Sequence, residues 1–203
     1  FYGDGRISYD IPGIIRKRLD EKTGALHVYF TGCGGDIGMG KYNDGSRKAR
    51  TELAARLQDG IERSIAELKQ RPAEAMGWSV LAVPFPPQTD GPFTEALCRD
   101  VLADPTARFR RRLEAAIAVA WIERHATQRP VELSCLRIGP VQILHLPGEP
   151  FVQYQLAAQK MQRDHFVCVA GYTDGGMGYI GGDRIYSDRG GYEQSYAFAG
   201  PSE

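Results

Sequence analysis

The stretch Val141-Gln142-Ile143-Leu144-His145-Leu146-Pro147-Gly148-Glu149-Pro150-Phe151 decides how this chain is read. Its first half alternates and is rich in β-prone residues, as a strand is. It stops abruptly at Pro147-Gly148, and a helix-like pattern follows over residues 151–163. A carboxylate, Glu149, is therefore expected on a tight turn between a strand and a helix. Such turns gather at one edge of an α/β sheet, where rigid elements aim loop side chains at a ligand. Two readings compete for Glu149. It is a functional group, or it is an acid complementing the dipole of a first helical turn. A sharp turn fixed by Pro147 and Gly148 is a costly way to place a merely solvated acid, which favours the first.

Working outward, residues 11–19 read as a short helix with Pro12 in its first turn. Residues 27–31 (His-Val-Tyr-Phe-Thr) are β-prone and feed the glycine-rich loop 32–40. From Arg47 the spacing of Leu53, Leu57, Ile61, Ile65 and Leu68 is helical, with Ser46 as its cap. Residues 78–83 form a strand closed by Pro84, Pro86 and Pro87. Two helical stretches follow, 93–102 and 106–125, broken at Asp104-Pro105. Residues 131–138 and 141–145 read as an antiparallel hairpin turned by Gly139-Pro140. Residues 165–170 form a further strand, followed by a long glycine- and tyrosine-rich segment, 171–191. The expected fold is mixed α/β, with mixed sheets packed together and flanked by helices, rather than a purely parallel doubly wound sheet. One domain over residues 1–203 is the expected organisation.

Composition removes some function classes. The 25 basic and 25 acidic residues cancel, so charge points to no nucleic-acid partner. The cluster Arg108, Arg110, Arg111 and Arg112 reads as a solvated helix face. No apolar run approaches the roughly 20 residues of a membrane-spanning helix. Cys33, Cys98, Cys135 and Cys168 contain no C-x-x-C pair, so a thiolate zinc site is not expected. Cys135 and Cys168 read as small strand hydrophobes. His145, alone in an apolar strand, reads as a packed residue before a ligand.

Two loops besides that of Glu149 invite a site. Gly35, Gly40 and Lys41 approximate a phosphate-binding loop, but position 42 is Tyr where a hydroxyl ligand for magnesium belongs, and the next helix starts several residues late. Backbone N–H groups from Gly34 to Gly40 remain possible donors to an anionic or carbonyl oxygen. The segment 171–191 is long and irregular for a hairpin loop, and such loops in compact domains are often functional.

Taken in order, the three loops resemble the catalytic domain of the neutral, non-lysosomal ceramidases and their bacterial relatives. A strand leads into Thr31-Gly32-Cys33-Gly34-Gly35-Asp36-Ile37; another leads into Leu146-Pro147-Gly148-Glu149 and a helix; a third leads into a Gly171-Tyr172 loop ending in Gly191-Tyr192-Glu193. The resemblance covers most of the chain. It implies zinc-dependent hydrolysis of an amide, with a small-molecule or lipid amide as substrate and a secreted or periplasmic setting. Glu149 and Tyr192 fall at two of the family's metal ligands. Gly35, Asp36 and Gly38 fall on its catalytic Gly-Asp loop, with Gly38 where the family has a serine, so no serine role carries over. The family's two histidine ligands fall ahead of Phe1, and His27, His125, His145 and His165 do not match their motifs. The resemblance thus implies an internal piece of a longer catalytic domain. A non-catalytic ligand-binding module on the same fold is the alternative.

Overall fold

The computed structural model describes residues 5–69, 72–73, 75–187 and 191–200. The chain divides into two compact units, Phe1–Phe30 with Gly38–Pro72, and Thr31–Ile37 with Ala73–Glu203. The first unit is a pair of helices, α1 (Asp10–Thr23) and α2 (Arg47–Ala66). Ile11, Ile15 and Leu19 recur at steps of four on α1 and pack against Ala54, Leu53 and Ile61 of α2. Arg18 bonds Gln58 and Lys22 bonds Glu62, each pair 40 positions apart, so the two helices run in the same direction. Ser46 caps α2 as expected, its Oγ accepting from the Ala49 amide at 3.0 Å. Gly24, at φ +71°, ends α1 in the left-handed conformation that closes many helices.

The strand expected at 27–31 does not form. β propensity expresses itself only where a neighbouring edge offers pairing and packing. Here Val28, Tyr29 and Phe30 stay exposed, and the backbone N–H and ring of His27 bond instead to the Asp20 carboxylate, at 2.7 and 2.9 Å.

The second unit is built on a four-stranded mixed sheet of β1 (Met76–Val83), β2 (Val131–Ile138), β3 (Val141–Pro147) and β5 (Phe166–Thr173), in the order β1-β2-β3-β5. The β2–β3 hairpin forms as the Gly-Pro turn implies, and β1 pairs antiparallel on its other side. β5 runs parallel to β3, reached through α5 (Val152–Met161). A parallel pair needs such a crossover because a two-residue turn cannot reverse the chain twice. A small second sheet pairs β4 (Glu149–Pro150) with β6 (Tyr179–Ile180), also in parallel. Helices α3 (Glu95–Ala103) and α4 (Phe109–Ala126) close a core of Phe93, Cys98, Ala115, Ala118, Trp121, Val131, Met177 and Phe198. The fold class is therefore mixed α/β. No helix among the described residues is long and apolar enough to cross a membrane.

Two local expectations change. The segment 171–191 is not structureless: β5 continues to Thr173, β6 follows, and 3₁₀ turns cover Asp183–Tyr186 and Tyr192–Tyr196. Gly190 lies outside the described residues. Glu149 is in a strand, and α5 begins at Val152 with no acidic residue in its first turn. Its reading as a helix-dipole charge is thereby removed.

Candidate active site

Glu149 is placed by backbone constraints on both sides. Gly148 takes φ +60°, and a Cβ there would stand 2.6 Å from the Gly178 carbonyl oxygen, so the turn requires glycine. The Gly148 amide donates to the Gly175 carbonyl at 2.9 Å, and the Gly148 carbonyl accepts from the Tyr172 amide at 2.9 Å. The Glu149 amide donates to Gly178 and the Phe151 amide to Ile180, at 2.8 and 2.9 Å, which locks β4 onto β6. In that ladder Glu149 is the direct register partner of Tyr179.

The Tyr179 and Tyr192 hydroxyl groups are 2.8 Å apart and hydrogen-bonded. Their rings meet edge to face, at 5.9 Å between centroids, and Tyr196 packs on both. Burial, the bond to Tyr192 and the nearby Glu149 charge together hold the Tyr179 phenol well above the ordinary tyrosine range. Glu149 and these three tyrosines line a cavity of about 450 Å³. The opposite wall is one face of α4, with Arg110, Leu113, Glu114 and Ile117, and Phe198 completes it. This size and largely apolar lining suit a small-molecule site.

The cavity unites Glu149 and Tyr192, the two metal-ligand candidates, and adds Tyr179, which the sequence did not single out. A two-residue strand carries no periodicity, so β6 leaves no pattern to read. The arginine cluster is largely exposed, as a solvated face is, and two of its members make further contacts. The Arg110 guanidinium lies 5.3 Å over the Tyr196 ring and bonds Glu114, while Arg111 lies over Phe93 and bonds the Pro92 carbonyl.

Two residues of the Gly-Asp loop, Gly35 and Asp36, pack against the segment that follows Glu149. Gly35 is buried against the Glu149 strand, its amide donating to the Pro150 carbonyl at 3.0 Å. The Asp36 carboxylate accepts from the Val152 amide at 2.8 Å and lines a neighbouring cavity of about 290 Å³ with Phe151, Gln153, Arg184 and Glu193. Gly38 is exposed, and nothing stands within 4 Å of where its Cβ would be.

Among the described residues no histidine lines the Glu149 cavity. His145 is a packed strand residue, bonded to Ser134 Oγ at 3.1 Å and stacked on Trp78 at 5.2 Å. Among the described residues no three His, Cys, Asp or Glu side chains converge as a metal group. One carboxylate and tyrosine oxygens are hard donors compatible with zinc, and they fit part of a four-coordinate set.

No family model matches the sequence, and no curated protein matches it by sequence. A solved structure, that of neutral ceramidase from Pseudomonas aeruginosa, matches this chain with a TM-score of 0.62 at 14% sequence identity. The match covers 96% of this chain and 38% of that one. At this identity the likeness is one of fold, and the chain has a ceramidase-like fold spanning well under half of that protein's length.

Proposed function

We propose that this chain carries one side of the active site of a zinc-dependent hydrolase of the neutral-ceramidase kind, which cleaves an amide (N-acyl) bond. The observation that carries this reading is the convergence of Glu149, Tyr179 and Tyr192 in one cavity of a ceramidase-like fold. Glu149 and Tyr192 are the metal donors that this chain's cavity supplies. Zinc held there would lower the pKa of bound water to about 7 and polarise the carbonyl under attack.

The chain's own residues then have separate tasks. Glu149 supplies a carboxylate whose backbone is fixed by β6. The Tyr179–Tyr192 hydrogen bond commits one phenol as donor and leaves the other oxygen a lone pair directed elsewhere, the arrangement that orients a ligand from behind. Leu113 and Ile117 offer apolar contact to the substrate, and the small-molecule or lipid amide lies between them and Glu149. Gly38 provides no nucleophile, so the attacking group in this reading is water.

A test is turnover of a panel of N-acyl substrates by the natural protein that contains this chain, with zinc measured in the same preparation. Metal-dependent release of the acyl group supports the proposal, and its absence across the panel refutes it. That negative outcome favours the second reading, a non-catalytic binding module, for which Gly38 at the family's serine position is the supporting observation.

A further inference from the structure

We infer that Asp36 is a positioning residue for Glu149, acting through the start of α5 rather than on the substrate. This deepens the proposed function and rests on it in one respect, that Glu149 is the working carboxylate of its cavity.

The first amides of a helix lack acceptors within the helix. Val152 is the first residue of α5, and the preceding Phe151 has no side chain able to accept from it. Asp36 supplies that acceptor at 2.8 Å from a loop 116 positions away. Its negative charge also complements the helix N-terminus. One residue earlier, Gly35 donates to the Pro150 carbonyl, so the loop grips two successive peptide units. The approach is close: a Cβ on Gly35 would lie 2.6 Å from the Glu149 carbonyl oxygen and 2.8 Å from the Phe151 ring.

The loop is itself anchored. The Gly171 amide donates to the Thr31 carbonyl at 2.7 Å, and the Cys33 amide to Gln155 Oε1 at 3.3 Å. The segment from Glu149 to Val152 is thus held by β6 along one edge and by Gly35 and Asp36 along the other. Asp36 does not line the Glu149 cavity, so its effect travels through the backbone. A displacement of about 1 Å at a reacting group costs on the order of 100-fold in rate, which makes such a clip consequential.

The experiment compares Asp36→Ala with Asp36→Asn in the natural protein containing this chain. Asparagine keeps the Oδ1 acceptor and loses the charge. Amide hydrogen exchange at Val152, Phe151 and Glu149 is expected to rise in the alanine variant while the β2–β3 hairpin is unchanged, and to stay near wild type in the asparagine variant. The alanine variant is expected to lose about 10- to 100-fold in kcat and zinc affinity, the range for partners that orient a ligand, and asparagine to restore most of both. Unchanged exchange at Glu149 and Phe151 in Asp36→Ala overturns the inference. So does an inactive Asp36→Asn with wild-type exchange, because the charge would then act directly. Should the alanine variant not fold, the activity of folded Asp36→Asn decides alone. If the wild-type protein holds no zinc and turns over no amide, the proposed function falls, and the exchange comparison still decides this inference.

Discussion

Glu149 and Tyr179 stand opposite each other in the parallel ladder between β4 and β6, although 30 positions separate them in the chain. The pairing makes a two-residue strand the support of the site. Everything that fixes this ladder should matter more than its size implies.

Gly148 is the sharpest case. Alanine at its φ of +60° is strained, and its Cβ would press on the Gly178 carbonyl, Met177 and Ile180. Left-handed strain and overpacking each cost about 1–3 kcal/mol. Gly148→Ala is therefore expected to destabilise the second unit by roughly 2–6 kcal/mol, read as a lower urea midpoint. A variant as stable as wild type would show that the turn is looser than described.

The tyrosine pair gives a pH signature. Burial first, then the bond to Tyr192, raises the Tyr179 pKa above the usual value of about 10. An acid whose folded pKa is raised keeps its proton in the folded state after the unfolded chain has lost it. Its stabilising contribution is full below about pH 10 and is lost as pH rises through the folded value. The chain has ten tyrosines, so the phenolate absorbance of Tyr179 has to be read as a difference between wild type and Tyr179→Phe. Tyr192→Phe is expected to move that titration down, toward the ordinary range. No movement would mean the hydroxyl contact does not form.

The α4 wall should set substrate preference. Leu113 and Ile117 are partly exposed on the cavity side, while Ala115, Ala118 and Trp121 of the same helix are buried. Leu113→Asp and Ile117→Asp are expected to raise KM for N-acyl substrates with an apolar acyl group by about 10-fold, from the 1–3 kcal/mol that an apolar contact of this size contributes. Folding should be little affected, since neither side chain belongs to the core. Equal KM values for apolar and polar acyl groups would remove α4 from the substrate path.

The first unit offers a separate check. Ser46→Ala removes the acceptor of the Ala49 amide and is expected to cost about 1 kcal/mol in α2. Helicity measured through thermal unfolding reads this directly, and an unchanged midpoint would mean that the cap contributes nothing.

What the sequence revealed, and what it hid, follow from where each signal resides. The β2–β3 hairpin, α2 and its Ser46 cap were legible because their cues are local: alternation, helical spacing and a hydroxyl just ahead of the first turn. Residues 27–31 misled because β propensity does not reveal whether an edge is available. Glu149 was legible as an acid beside a strand end, but its membership of β4 was not, since Tyr179 and Ile180 give no periodic cue. Tyr192 was reached through the resemblance, and the structure places it in the Glu149 cavity. The contact of Asp36 with Val152 spans 116 positions, and no window of sequence contains it. Arg110 is exposed, as helical spacing implies, but that spacing does not reveal that the Tyr196 ring stands beneath its guanidinium.

Under the proposed function Glu149 is a metal-holding carboxylate. The most direct measurement is the zinc content of the natural protein containing this chain, purified without chelator, as wild type and as Glu149→Gln. Glutamine preserves volume and backbone pairing while removing the charged oxygen. About one zinc per wild-type chain is expected and, in Glu149→Gln, zinc affinity and kcat/KM lower by about 100-fold or more, at or beyond the upper end for residues that merely support a ligand. Unchanged zinc stoichiometry together with unchanged amide hydrolysis in a folded Glu149→Gln protein would contradict it.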